Sequence, residues 1–504
     1  MKTGRLAAVA LLGLAMASCG GAASVSTTSS GASVAVSAAP SSAAASTSAA
    51  SSTSASGSAA AKPSGSASSA ASTSGAGSGS ASASSPAGSS SGSASAAASA
   101  GGSASAAASG GAASGTPIKL GILDDVTGVG AIEGALLRIN ADLVIQQINS
   151  SGGINGHPVQ PVYVDPKGQA DQALQMATQL AQQDNVDVLL GGIFSPECLG
   201  VQQLAPKVGL AYLPLNGCAN EQFTSQSCNK FSFRVFPVGK QLSDPALSYE
   251  VKTFGPKWGI LYPDYALGQS SRDSYDASLK KFNATLDLKI GVPLNETNMT
   301  PYISKVPTDG SINALVVSQT GSDLARAMTI LQQFGIPKKM AIVTALGKES
   351  FSGVYPDAMN GAYISGGHLS EAQPDNKFDQ AYDDAFKAMA KTDASVAGPL
   401  GGPDKAVSGV TNGYNVYVSM NALKIAMRNS GFTGKADTAK LITALENLNE
   451  PQSADFPAGP MVMNKQDHQG RMTLYVMKIN GQKEDVIQSF PPDQLPLFNS
   501  CTAS

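Results

Sequence analysis

Between Ile118 and Asn220 the chain repeats a strand–helix pattern four times, and each strand pattern ends where polar residues or glycines gather. "IKLGIL" runs into "DDVTGVG", and a long helical pattern then ends at "NSSGGINGHPV". "PVYVDP", a second helix, "VDVLLGGIFSP", a third helix and "AYLPLNGCAN" follow. "VDVLLGG" is apolar almost without alternation, as expected of a strand covered on both faces by helices. Leu136, Leu137, Leu143, Val144 and Ile148 recur at helical spacing, and the glycines of "SSGGING" are free to end that helix. Parallel α/β sheets bind ligands in the crevice beyond the carboxyl ends of their strands. Function is therefore expected in the loops after these strands.

Only part of the 504 residues suits such a fold. Positions 20–116 are almost entirely Ser, Ala and Gly, with few charges and no aromatic residue. Such a segment buries too little apolar surface to offset its chain entropy, and reads as a disordered tether. A flexible chain of about 96 residues has a root-mean-square span of about 55 Å, enough to act as a neutral spacer. Roughly 390 residues remain, sufficient for two domains. The net charge of −3 and the lack of a basic cluster disfavour nucleic acid as a partner.

Residues 1–19 read as a targeting signal. "MKTGR" supplies positive charge, "LAAVALLGLA" an apolar core and "MASC" small residues before Cys19. The apolar run is shorter than the about 20 residues that span a bilayer. "MASC" resembles the lipobox of bacterial lipoproteins, which implies lipidation at Cys19 and a mature protein anchored outside the cytoplasmic membrane. A plain secretory signal is the alternative, because Met16 is an unusual first residue for that motif. No later segment reads as a transmembrane helix.

Outside the cytoplasm the other four cysteines, Cys198, Cys218, Cys228 and Cys501, suggest two disulfides with three possible connectivities. Cys218 and Cys228 flank a short loop and are the first choice, with Cys198–Cys501 following by elimination. The absence of a CxxC pair or a His/Cys cluster disfavours a zinc site, and no cofactor is expected.

After Cys228, "KFSFRVFPV" looks like a strand leading out of the first unit. A second α/β series follows, with strands at Lys257–Tyr262, near Asp287–Val292, in "NALVVSQ", in "KMAIVTAL" and in "GAYISGG". Its helices lie at Leu242–Thr253, Gly268–Phe282 and Asp323–Phe334. Long helices come next, near Asn376–Lys391 and Gly409–Asn429. The chain closes with two β segments joined by a polar turn at Gln466–Gly470. Two consecutive parallel-sheet units with late returning elements suggest two α/β lobes.

The block from "INSSGGINGHPV" through "VDVLLGG" is similar to the periplasmic branched-chain amino-acid binding proteins of ABC importers. The similarity continues through "FSPECLG", "PLNGCANEQFT" and "FRVFP". It recurs weakly at "YPDYALGQS" and closes with the "GPM…N…DHQG" hairpin, covering roughly Ile118 to Ile479. The resemblance implies the type I periplasmic-binding fold, two doubly wound α/β lobes joined by three crossovers that close on a small ligand by hinge motion. The lobes are expected at 117–237 plus 364–455 and at 238–363 plus 456–504. It further implies a monomer that delivers its ligand to an ABC permease in the membrane.

A carboxylate-bearing solute needs converging N–H and O–H donors, preferably near helix N-termini. Ser195 follows the "VLLGG" strand and precedes a helix, and Gly217, Cys218 and Ala219 follow the "AYLPL" strand. The resemblance gives Ser195 and the Gly217–Ala219 segment to the ligand carboxylate, with Asn220 matching the family's Asn and Ala219 replacing its Thr. Capping the following helix is the other role open to Ser195. In the family an aromatic residue falls near Glu133, a Tyr at Leu267, an acid near Leu346 and another aromatic residue near Thr320. These four departures put an ordinary branched-chain amino acid in doubt as the ligand. Glu133 could face a ligand cation or serve as a solvated helix-start acid. Tyr265, two residues from the missing Tyr, is a candidate for the cleft, and Lys348 and His368 are further ones.

Enzyme readings are weaker. Gly128, Gly130 and Gly134 do not make GxGxxG, because Glu133 holds the third slot, and Asp165 lies too far on for a ribose-binding acid. The strand–helix region contains no GxSxG nucleophile elbow, and His157, His368 and His468 are the only histidines. A solute sensor that presents its closed form to a signalling partner is the nearer alternative to an importer component.

Overall fold

Burial on both faces organises the first sheet. The computed structural model describes residues 113–219 and 222–498. The signal segment with Cys19, the tether as far as residue 112, Asn220 and Cys501 lie outside the described residues. Strand β1 (Ile118–Leu123) is almost wholly buried. It is followed by α1 (Ala131–Ser150), β2 (Val159–Val164), α2 (Ala170–Gln182), β3 (Val188–Gly191), α3 (Ser195–Val208) and β4 (Ala211–Leu213). The four strands pair in parallel in the order β2-β1-β3-β4. Helix α1 ends as its glycines predict, for Gly152 and Gly153 take φ of 91° and 77°, and the Gly153 N–H donates to the Ile148 carbonyl at 2.9 Å.

The second series comprises α4 (Lys240–Phe254), β5 (Lys257–Pro263), α5 (Ala266–Lys281), β6 (Thr285–Val292), α6 (Thr300–Ile303), β7 (Ala314–Val317), α7 (Gly321–Gln333), β8 (Ala341–Thr344) and β9 (Tyr363–Gly366). The chain then returns. Helices α8 (Lys377–Ala390), α9 (Asn412–Ser430) and α10 (Thr438–Glu446) pack onto the first lobe's core through residues such as Phe386, Val416 and Leu441. Strands β10 (Asn449–Glu450), β11 (Met461–Asn464) and β12 (Gln469–Met472) form a small antiparallel sheet. Finally β13 (Leu474–Asn480) and β14 (Lys483–Phe490) join the larger sheet, in the order β14-β13-β9-β8-β7-β5-β6. The chain thus crosses between lobes three times, from β4 to α4, from β9 to α8 and from β12 to β13. Both lobes belong to one compact unit, Gly102–Ser504.

Several expectations are corrected. "KFSFRVFPV" forms no strand, only isolated bridges at Ser232 and Arg234, because it leaves the short β4 to cross to the other lobe. The closing hairpin is divided, and so is the 456–504 segment. Phe456, Met461, Met463 and Met472 pack in the first lobe's core, whereas Leu474, Val476 and Phe490 pack in the second's. The expected break at 363/364 falls inside β9, which reaches Gly366. Strand β14 reads as polar in sequence because it is an exposed edge strand.

The expected disulfides are also corrected. Cys198 bonds to Cys218, with Cα atoms 5.9 Å apart, so neither Cys218–Cys228 nor Cys198–Cys501 forms. The first turn of α3 and the loop after β4 follow adjacent parallel strands, so they meet at the same height. Closeness in sequence was the poorer guide. Cys228 is itself disulfide-bonded.

Candidate functional site

The loops beyond the strand ends of both lobes face one another across a cleft. The first lobe contributes Glu133 from α1, Phe194 after β3 and Asn216 and Gly217 after β4. The second contributes Tyr265 and Leu267 after β5, Leu294 and Asn295 after β6, Gln319 to Asp323 after β7 and Leu346 after β8. Asn412 and Asn415, at the start of α9, complete the wall. The cleft has two chambers, of about 40 and 140 Å³, which share Asn216, Gly217, Leu267, Thr320 and Asn412. Across it, the rings of Phe194 and Tyr265 meet edge-on with centroids 6.1 Å apart. Tyr265 and Leu294 both pack against the first lobe's core, so the lobes are in contact.

Local chemistry fixes the first wall. Glu197, in the first turn of α3, accepts the N–H groups of Ile193 at 3.1 Å and Phe194 at 2.9 Å. Burial, followed by the neighbouring Asp125 charge, raises the Glu197 pKa, and burial raises that of Asp125 as well. Gly217 has φ of 59°, and a Cβ there would lie 1.9 Å from the Ile193 carbonyl oxygen. Only glycine suits both conditions. The Gly217 N–H donates to Asn216 Oδ1 at 2.8 Å. The Cys198–Cys218 bond ties this loop to α3.

Acids meet where α1 faces α7. Glu133 is buried, and its pKa is pushed up to about 7, chiefly by burial and then by the charges of Glu349 and Asp323. A Cβ on Gly321, in the first turn of α7, would come within 3.0 Å of Glu133 Oε1. Asp323 pairs with Arg326 and accepts the Asn295 N–H at 2.8 Å. Farther in, Gln319 is 1% exposed, and among the described residues both its side-chain heteroatoms lack a hydrogen-bond partner, as does Asn216 Nδ2. Buried polar atoms of this kind are uncommon and call for an explanation.

The structure brings Glu133, Gly217, Tyr265, Leu267, Thr320 and Leu346 to the cleft. Ser195, Cys218 and Ala219 are fully buried and do not line it. The Ser195 hydroxyl lacks a hydrogen-bond partner. Lys348 lies elsewhere and pairs with Glu371 at 2.9 Å. His368 is sealed in the core, 2.5 Å from Asp379. Burial alone would lower its pKa, but the Asp379 charge and hydrogen bond outweigh it and the pKa is raised. Sequence reasoning missed Asn216, Gln319, Asn412 and Asn415. Asn216 and Gln319 lie in the loops just beyond β4, which ends at Leu213, and β7, which ends at Val317, so the strand-end rule applied to every polar residue would have found them.

Residues 117–484 match the family model described as periplasmic binding protein. Leu/Ile/Val-binding protein homolog 8 of Brucella abortus (strain 2308) is 26% identical over 215 residues, 40% of this chain and 51% of that protein, so the chain spans about half the length of that relative. Leu/Ile/Val-binding protein homolog 4 of Brucella melitensis is 25% identical over 388 residues, 73% of this chain and 85% of that protein. A solute-binding protein of an ABC transporter from Rhodopseudomonas palustris BisB5, solved in complex with 3,4-dihydroxybenzoic acid, superposes with a TM-score of 0.63 at 16% identity. That superposition covers 75% of this chain and 98% of that one. Two α/β lobes, three crossovers, a cleft at the strand ends and a family match over most of the folded part agree: the chain belongs to the periplasmic binding protein family.

Proposed function

We propose that this protein is the extracytoplasmic solute-binding component of an ABC importer, capturing a small polar metabolite between its lobes and delivering it to a membrane permease. The observation that carries the reading is the continuous cleft whose buried polar atoms, on Gln319 and Asn216, lack partners among the described residues. A ligand supplies those partners. Its contacts to Tyr265, Leu267, Gln319 and Thr320 belong to the second lobe, and those to Glu133, Asn216 and Gly217 to the first. Both sets exist together only when the lobes are closed, so ligand shifts the population toward closure. The closed surface is what the permease recognises. Cys19 anchors the chain by lipid, and the Ser/Ala/Gly segment lets the lobes range above the membrane. A thermal-shift screen of the purified chain against a metabolite library tests the capture step. A ligand bound by the folded form alone raises the melting temperature, and a library without effect would count against the reading.

A further inference from the structure

The chemistry of the cleft selects among ligands. Its two chambers continue into a third of about 50 Å³ in the second lobe, through Gly239, Leu242, Ser271, Ser318 and Ala345. That third chamber sets four serines amid apolar surface. Ser271 and Ser318 are hydrogen-bonded at 3.0 Å, and the buried Ser365 Oγ has no partner. Along the three chambers a ligand therefore meets the carboxyl groups of Glu133 and Asp323, then the side-chain amides of Asn216, Gln319, Asn412 and Asn415, then serines.

Among the described residues, no Lys, Arg or His lines any of the three chambers. The nearby Arg326 is engaged with Asp323, and Lys348, outside the cleft, pairs with Glu371. Three backbone donors of the first wall are also taken by the chain's own oxygens. Glu197 accepts the Ile193 and Phe194 N–H groups, and Asn216 accepts that of Gly217. The first turn of α7, which would favour an anion through its N–H groups, is faced by Glu133. A ligand carboxylate would meet Glu133 with no counter-charge. A ligand ammonium would find there a buried carboxylate, where charge-assisted hydrogen bonds are strong. Gln319 offers both a donor and an acceptor, the pattern that matches an amide.

Taking the solute-binding reading above as its basis, we propose that the ligand is a cationic amine carrying an uncharged amide or hydroxyl extension, and that it has no free carboxylate. Glu133 takes the ammonium, Gln319 and Asn216 the amide, and the serine-lined end the tip of the extension.

Isothermal titration calorimetry of the full chain with four isosteric probes tests this: L-leucinamide, 4-methylpentanamide, L-leucine and 4-methylpentanoate. The expected order places L-leucinamide tightest. Loss of its amine is expected to weaken binding about tenfold or more, as for a hydrogen bond to a charged group. Exchange of its amide for a carboxylate is expected to weaken it at least as much. Tighter binding of L-leucine or 4-methylpentanoate than of L-leucinamide overturns the proposal, as does binding of none of the four. In Glu133→Gln, L-leucinamide is expected to lose its advantage over 4-methylpentanamide; an unchanged preference removes Glu133 as the ammonium partner. Should that variant not fold, the four probes on the unaltered chain still decide. A carboxylate such as 3,4-dihydroxybenzoate that binds and closes the lobes refutes the ligand class and leaves the solute-binding reading standing. A metabolite library in which nothing binds refutes both.

Discussion

Gln319 shows how the site trades stability for binding. A buried donor and acceptor without partners cost about 1–3 kcal/mol, and both side-chain heteroatoms of Gln319 are in that state. Gln319→Leu should therefore raise the stability of the ligand-free protein by about 1 kcal/mol in denaturant unfolding while weakening ligand binding in calorimetry. Ser195 provides the contrast. It does not line the cleft, so Ser195→Ala is expected to leave ligand affinity unchanged; a clear loss of affinity would return it to the site. The sequence made Ser195 legible as a helix-start residue after a strand, but not that Glu197 two residues later occupies the neighbouring N–H groups. That depends on the Glu197 side chain, at the third position of α3, reaching back to the N–H groups before the helix. Glu133 was legible as an acid in the first loop. Its burial was not, because the α7 turn that covers it lies almost two hundred residues away.

Elements were legible where periodicity was strong. Strands β1, β3 and β4 of the first lobe and helix α1 have buried patterns that a single sequence displays directly. Strand β14 was not legible, since an exposed edge strand keeps polar residues on both faces. The disulfide could not be read from spacing, because it reports that β3 and β4 are neighbours. It joins the α3 start to the Gly217 loop across a separation of 20 residues. Closing a loop of that size stabilises a fold by about 3 kcal/mol. Replacing Cys198 and Cys218 together by Ser should lower unfolding stability by about that amount, and should weaken ligand binding because Asn216 and Gly217 would lose their tether to α3. Substitution separates this bond from that of Cys228, which a reductant would also break.

At the scale of the molecule, the buried acids make stability depend on pH. Burial first, with like charges added at three of the four, raises the pKa of Glu133, Glu349 and Asp124 to about 7, and burial alone raises that of Glu250 to about 8. Between the ordinary carboxyl range and these values, the folded chain keeps protons that the unfolded chain has released. Stability then falls as pH rises. The contribution is fully present below about pH 4 and is lost as pH climbs through about 7 to 8. Calorimetric melting at constant ionic strength should show a midpoint that declines from about pH 5 to pH 8; a rising midpoint over that range would show that these acids ionise freely in the folded state. The two-lobe arrangement itself was legible from the repeated strand–helix series and the late return of long helices. The closeness of the lobes was not, because it rests on contacts such as Phe194 with Tyr265, which no local pattern encodes. Whether a bound solute draws those lobes together is the central claim, and small-angle scattering of the purified chain, with and without a ligand found by thermal shift, tests it most directly. A smaller radius of gyration with ligand, reversed by the second-lobe substitution Gln319→Leu, is the predicted result, and scattering unchanged by a saturating ligand would contradict it.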